Sequence, residues 1–310
     1  MDIKQLRAFL TISETQNITK AANLLNIVQP AVTRQIHLLE EELGVKLFER
    51  GRHGMNITEE GKILEVYARR ALNEIEQAKM ELTSSDSALQ GTINIGIVAS
   101  LSELLAVALM RVIKEKYPLV NLKISVGYSA HLNEWLTTGD IDLALNYTSA
   151  VSKFVDFQPL VHEQLWLVGS MNSNLQADTA LSMQQMSELE YILPFAPHKL
   201  RTLTEQCFKL ENLTLKIVAE MNDLNIQKQM VKEGFGYTFL PLVTVEKDLS
   251  QNTVKVSPIE HQDFSRDIAI VLPKTKHISK LVHTISNEIS LFSKHAIQTK
   301  KWLGGEWIGD

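Results

Sequence analysis

Cysteine is almost absent from this chain of 310 residues. The only one, Cys207, cannot close an internal disulfide, and no cysteine cluster is present to hold zinc. An excess of basic charge is missing as well. The formal net charge of -5 excludes a protein that coats nucleic acid through bulk charge, though not one with a local basic patch. No run of about 18 apolar residues is available to span a bilayer. The opening MDIKQLRAFL lacks the basic-then-apolar order of an export signal. These absences predict a soluble, cytoplasmic protein with no membrane partner. No repeat of fixed period is visible. What the chain does have is hydrophobic material, 45% of its residues, enough for more than one core.

A catalytic set is also lacking. GTINIG (91–96) has the spacing of a phosphate loop, but Ile97 and Val98 stand where Lys and Ser or Thr are needed. HEQLW (162–166) begins like a zinc-protease helix, yet Trp166 replaces the second histidine and the stretch reads as a strand. Cys207 sits in a helical run beside Phe208 and reads as core. Asp140 and Asp142 flank Ile141 in what reads as a turn. The expectation is no enzyme, no cofactor and no metal.

Three grammars follow one another along the chain. Residues 1–58 read as short helices and then a hairpin, VKLFERGRHGMNIT, with Gly51 and Gly54 permitting the bend. Residues 59–90 open on a helix capped by Thr58, in which Leu64, Ala68, Ala71, Ile75, Ala78 and Leu82 recur at coiled-coil spacing. That seam predicts a dimer helix; the alternative is a helix packed on its own domain. A polar linker, SSDSALQG, leads to alternating strands and helices, which predict an α/β domain with mainly parallel sheets. Its length suggests two lobes: 91–161 with 267–300, and 162–266, with the strand DIAIVLP and the last helix returning to the first. The tail KKWLGGEWIGD (301–310 with Lys300) has no evident role beyond docking on a neighbour.

Within 18–43 the requirements of a helix-turn-helix are met. Ala21 and Ala22 are small where helices cross, Leu25, Ile27 and Val32 form a wedge, and Pro30 suits a first helical turn. On the second helix Val32, Ile36, Leu39 and Leu43 form one stripe, with Pro30, Thr33, Arg34 and His37 opposite. Glu40 to Glu42 follow where such a helix would leave a DNA groove. Arg34 can grip guanine and Gln29 adenine, Thr33 can touch a phosphate or a methyl, and His37 can reach a phosphate. Arg50 and Arg52 in the hairpin can add backbone or minor-groove contacts, while His53 reads as an ordinary turn residue. The eight basic and eight acidic side chains of 1–62 cancel, so tight binding calls for several reading heads on one DNA.

AANLLNIVQPAVTRQIHLLEEELGVKLFERGRHGMNITEEG closely resembles the N-terminal domain of LysR-type transcriptional regulators, through the AA pair, QPA, R-Q-I-x-x-L-E-x-x-L-G, LFER and T-E-x-G. NEWLTTGDIDLALNY and LVHEQLWLVGS look like the branch of nitrogen assimilation control regulators. The resemblance implies a winged helix-turn-helix, a long linker helix and a two-lobed α/β effector domain like that of periplasmic binding proteins. It further implies partners: double-stranded operator DNA, a small-molecule effector, other copies of the chain as a dimer or tetramer, and RNA polymerase. One position departs from the pattern. Val28 stands where the family usually carries Ser or Thr before the Gln-Pro pair, which removes a hydroxyl contact to the DNA backbone worth about 1 kcal/mol.

Open α/β sheets bind ligands where strands end and helices begin. That rule and the resemblance select Ser100 and Ser102, Tyr128, Ser129 and His131, Asn146, and Pro194 with Phe195 as an effector-binding set for a small polar ligand. Glu103 and Asp223 nearby weigh against an anion at the helix start by Ser102. The competing class is a small-molecule binding protein or α/β enzyme with no DNA-binding role.

Overall fold

The computed structural model describes residues 1–51, 54–83, 89–148, 155–274 and 278–309. Two compact units separate: Met1–Ala88 with Trp135–Asp140, and Leu89–Glu134 with Ile141–Asp310.

In the first unit α1 (Ile3–Thr15) starts with a reciprocal cap. Asp2 accepts from Gln5 N–H at 2.8 Å while the Gln5 side chain accepts from Asp2 N–H at 2.7 Å. Asn17 caps α2 (Ile18–Leu24) by accepting from Lys20 N–H. α3 (Gln29–Leu43) starts on Val28, which offers no side-chain cap, and Pro30 removes one N–H that would otherwise need a partner. α3 stops at Gly44, whose φ of 72° closes the helix at no steric cost. Phe9, Ile12, Ala21, Ala22, Val32 and Leu39 meet in one core with Leu47 and Phe48.

The apolar stripe of α3 ends a turn earlier than its spacing suggests, because Leu43 is exposed and Glu40 is buried. The acidic triplet is therefore not a single solvated end. The Glu40 carboxylate accepts from Leu47 N–H at 2.9 Å, Phe48 N–H at 3.4 Å and Lys46 Nζ at 2.6 Å. It satisfies the buried backbone where the chain leaves α3 for a hairpin, β1 (Phe48–Gly51) paired antiparallel with β2 (Gly54–Ile57). Burial alone would raise the Glu40 pKa, but Lys46 and the two N–H groups outweigh it and hold the carboxyl below its usual range. Glu40→Ala should thus destabilise the unit by about 1–3 kcal/mol, the scale of unpaired buried donors. A depressed carboxylate pKa contributes stability that is present above the unfolded value of 4.5 and fades as pH falls through the folded value. Urea titrations of both proteins should therefore differ at pH 7 and converge in acid; a gap that widens below pH 4.5 contradicts this role.

The hairpin is braced from the other side. Met55 N–H donates to Gln16 O at 2.9 Å, and a Cβ on Gly54 would lie 2.3 Å from that oxygen. Arg52 and His53 lie outside the described residues. Thr58 then accepts from Gly61 N–H and donates to Lys46 O, starting α4 (Glu59–Thr83). A Cβ on Gly61 would lie 2.4 Å from Leu47 O, so the T-E-x-G pattern records a close approach of backbone to backbone. The seam expected on α4 is divided. Leu64, Ala68 and Leu72 pack into the core of their own unit, and α1 lies along α4 through Arg7–Glu76, Ser13–Glu65 and Glu14–Arg69 contacts. Of the predicted seam, Ala71, Ala78 and Leu82 stay exposed, with Ile63 and Tyr67 beside its start, so its later part is the surface left for another helix.

The second unit runs β3 (Gln90–Val98), a 3-10 turn (Ala99–Leu101), α5 (Ser102–Lys116), β4 (Leu119–Gly127), α6 (Ser129–Thr138, grouped with the first unit from Trp135 on), β5 (Leu143–Tyr147) and β6 (Val155–Ser170). It continues with α7 (Met183–Met186), β7 (Glu190–Leu193), α8 (Lys199–Leu210), β8 (Lys216–Glu220), α9 (Leu224–Lys232), β9 (Thr238–Pro241), α10 (Leu242–Ser250), β10 (Val254–Ser257), β11 (Ser265–Pro273), α11 (Lys280–Gln298) and β12 (Gly305–Trp307). The architecture is two-lobed α/β. Strands β4, β3 and β5 are parallel, as are β7 and β8. The remaining pairs are antiparallel: β11 with β5 and β6, and β9, β10 and β12 with β6. The expectation of mainly parallel sheets is corrected for a simple reason. The chain leaves one lobe along β6 and comes back along β11, and an outgoing and a returning strand are necessarily antiparallel neighbours. β11 joins β5 beside β3, and α11 packs on β3, so the late strand and last helix do return to the first lobe.

β6 carries Pro159, which has no N–H to give a ladder. The register of β6 against β11 shifts there, leaving Leu160 without a partner on β11. The C-terminal segment lies on the other edge of β6: Ile308 N–H donates to Leu160 O, and β12 pairs with Val161–Glu163. The tail thus docks on its own chain and forms part of the sheet. Trp302 is 1% exposed, and Lys294 Nζ lies 5.4 Å from the Trp307 ring centre. Asp142, expected from the sequence to be a turn residue, accepts from Asn94 N–H at 2.7 Å and orients the entry to β5.

Candidate functional site

Two surfaces carry chemistry. The first is the exposed ridge of α3 formed by Gln29, Pro30, Thr33, Arg34 and His37. Thr33 Oγ1 donates to Gln29 O, Gln29 Oε1 accepts from Thr19, and His37 Nδ1 lies 3.5 Å from Glu41. Arg34 has no hydrogen-bond or ion-pair partner among the described residues and extends from a helix whose opposite face is locked in the core. Arg50 is exposed on β1, opposite Met55. A rigid helix with an unengaged guanidinium and an amide in its first two turns suits groove reading.

The second is a cavity of about 350 Å³ between the two α/β lobes, within the range of small-ligand sites. One wall is apolar, with Leu165, Leu200, Leu203, Leu224, Phe239 and Leu240. The other is polar. Lys199, the first residue of α8, donates from Nζ to Thr148 O; burial lowers its pKa, with Asp267 opposing and Arg266 assisting. His198 accepts from Leu200 N–H and so caps α8; burial, then the Arg266 charge, push it down to about 4, so it is neutral at pH 7. His162 and Asp267, cross-strand partners on β6 and β11, form a 2.7 Å pair.

Behind this wall runs a continuous polar chain. Arg266 donates to Ser100 Oγ at 3.0 Å, to Tyr147 Oη at 2.7 Å and to Glu163 at 2.7 Å, and its guanidinium stacks 4.5 Å from the Tyr147 ring centre. The other oxygen of Glu163 accepts from Trp302 Nε1 at 2.6 Å. Burial alone would lower the Arg266 pKa; Tyr147 and Glu163 reverse this and keep it charged.

The predicted effector set divides. Ser100, Tyr128, Ser129 and Pro194 line the cavity. Ser102 and His131 line an adjoining recess of about 440 Å³ instead, separated from the cavity by Tyr128, whose ring meets His198 edge-on at 4.7 Å and whose hydroxyl donates to Asn222 O. Asn146 is corrected to a structural residue. Strand alternation turns Tyr147 to the cavity and Asn146 away, where its amide bridges Ser129 O and Asn133. Phe195 is 46% exposed and lies outside the lining. Of the two acids that weighed against an anion, Glu103 is paired with Lys247 and Asp223 caps α9. Sequence reasoning missed Tyr147, His162, Lys199, Arg266 and Asp267. Only Lys199 carried a usable signal, at the helix start after β7. Cys207 is buried and its thiol is pushed up to about 11 by burial and by Asp263, so it is no nucleophile.

Residues 3–62 match the family described as bacterial regulatory helix-turn-helix protein, lysR family, and residues 86–290 match the LysR substrate binding domain. The chain belongs to the LysR family. It is a LysR-type transcriptional regulator, with a helix-turn-helix DNA-binding domain and an effector-binding domain. The nitrogen assimilation regulatory protein nac of Escherichia coli (strain K12) is 25% identical over 304 residues, 97% of this chain and 99% of the relative, which supports the branch suggested by the sequence. Among solved structures, a full-length OxyR variant from Pseudomonas aeruginosa has a TM-score of 0.73 at 19% identity, covering 99% of this chain and 98% of that one. Full-length CbnR, solved with its target DNA, has a TM-score of 0.68 at 18% identity, covering 94% and 100%. Both share the fold. Regulators of the LysR family bind DNA and oligomerise, and the curated relatives are named as regulators rather than enzymes. Among the described residues no helix is long and apolar enough to cross a membrane.

Proposed function

We propose that this LysR-type regulator reads operator DNA in the cytoplasm through Gln29, Pro30, Thr33, Arg34 and His37, with backbone contacts from Arg50 and Arg52. The observation that carries this reading is the exposed Arg34 at the front of α3, which has no partner among the described residues. The effector is a small molecule with one anionic group for the Lys199 and Ser100 end of the cavity and an apolar body for the Leu203 and Phe239 wall. By preferring one arrangement of the lobes it shifts the population of a homotetramer, hence the spacing of the reading heads, DNA bending and RNA polymerase recruitment. Genomic fragments mixed with the full chain and with a variant lacking residues 1–88 test the reading in a gel-shift assay at about 0.1 M salt, where the Debye length is about 10 Å. The full chain should retard a defined subset against excess competitor and the variant none. Equal retention by both, or none by the full chain, rejects it.

A further inference from the structure

Outside the cavity, one group of side chains brings together three kinds of metal-binding donor. Cys207 on α8 and His261 with Asp263 in the connection from β10 to β11 each offer one ligand atom, and these atoms lie within 4.8 Å of one another. The thiol is buried, the imidazole half-buried and the carboxylate exposed. Asp263 has no ion-pair partner among the described residues, although it lies against a buried neutral thiol. His261 Nδ1 accepts only a 3.3 Å hydrogen bond, from Asp263 N–H, so coordination there gives up little. A divalent cation would satisfy all three groups at once.

We propose that Cys207, His261 and Asp263 form a binding site for a borderline-soft divalent transition metal, Zn²⁺ by donor type. One sulfur, one nitrogen and one oxygen suit zinc better than magnesium or calcium, which take oxygen ligands. Zinc bonds of about 2.0–2.3 Å place tetrahedral donors about 3.3–3.8 Å apart, so the observed cluster closes by roughly 1 Å of movement in an exposed turn. Three protein ligands leave a fourth position for water. The site joins two elements that reach the cavity: α8 carries Lys199, Leu200 and Leu203 in its first turns, and Asp263 precedes the lining residues Ser265, Arg266 and Asp267. Metal binding would fasten those two walls together.

The test uses the untagged full chain, stripped with a chelator, and the metal alone. One Zn²⁺ per chain should bind with a Kd of micromolar or tighter and raise the thermal midpoint. Co²⁺ should produce a thiolate-to-cobalt absorption band in the near ultraviolet. Cys207→Ser should abolish the band and weaken zinc binding at least tenfold. His261→Ala, a change outside the hydrophobic core, should remove the thermal shift while leaving the metal-free midpoint in place. Absence of zinc uptake, a cobalt complex without the thiolate band, or uptake unchanged in both variants would each overturn the site.

Discussion

Replacing Glu163 with Gln should destabilise the effector domain by about 3–5 kcal/mol, the scale for removing one partner of a buried ion pair. Glu163 is 1% exposed and Arg266 13%, so little water can take over the lost charge. The substitution keeps the shape and leaves a buried guanidinium in the same cavity wall as Lys199, with only Tyr147 and Ser100 to hold it. In a domain of this size the thermal midpoint should fall by on the order of 10 °C. Trp302→Phe removes the indole hydrogen bond to a charged acceptor and leaves a small cavity where the larger ring packed, so it should cost at least about 1.5–3 kcal/mol. Because both changes act on Glu163, the double variant should fall short of their sum. Urea unfolding of the full chain, followed by tryptophan fluorescence, measures all three. A Glu163→Gln effect below about 1 kcal/mol would mean that Arg266 does not depend on Glu163 for its charge.

The same chain of contacts gives the tail a place in the regulator. Arg266 faces the cavity, Glu163 binds Arg266, and Trp302 binds Glu163. Three successive contacts therefore link the ligand cavity to a strand added at the far edge of β6. That strand pairs with β6 beside the register shift at Pro159 and Leu160. Trp302 thus takes part in positioning the Arg266 cation at the cavity.

How much of this was legible in the sequence depended on how local its cause is. The first unit was readable because Pro30 and the Thr58–Gly61 pair act within one turn of where they stand. The strand-end rule found Ser100, Tyr128, Ser129 and Pro194 for the same reason. It misplaced Asn146, because the end of a strand does not say which of two successive side chains faces the cavity; Tyr147 does. Arg266, Asp267, His162 and Glu163 were missed because they meet across β6 and β11, about 100 residues apart in sequence, and no nearby residue announces an antiparallel pairing between the two strands that cross from lobe to lobe. The coiled-coil spacing of α4 was real, but periodicity cannot say whether a stripe meets its own domain or another copy. Here α1 had already covered the first part of it.

Arg34→Ala should abolish sequence preference while leaving the fold intact. The side chain is exposed and without a partner among the described residues, so its removal should change stability by no more than about 0.5 kcal/mol. A bidentate arginine contact to guanine is worth about 1–3 kcal/mol, and a symmetric dimer loses it twice, which gives roughly 30-fold to 10⁴-fold weaker specific binding. Non-specific affinity should hardly move, because a side chain that grips a base edge does not neutralise a phosphate. Arg50→Ala makes the contrast: it should weaken binding to all sequences alike and reduce the salt dependence by about one counterion per head, with no change in preference. Since the charges of residues 1–62 cancel, this domain has no bulk attraction to conceal either effect. Fluorescence anisotropy against a selected operator and a scrambled duplex, at several salt concentrations, separates the two roles. If Arg34→Ala retained both affinity and preference, the front of α3 would not be the reading face.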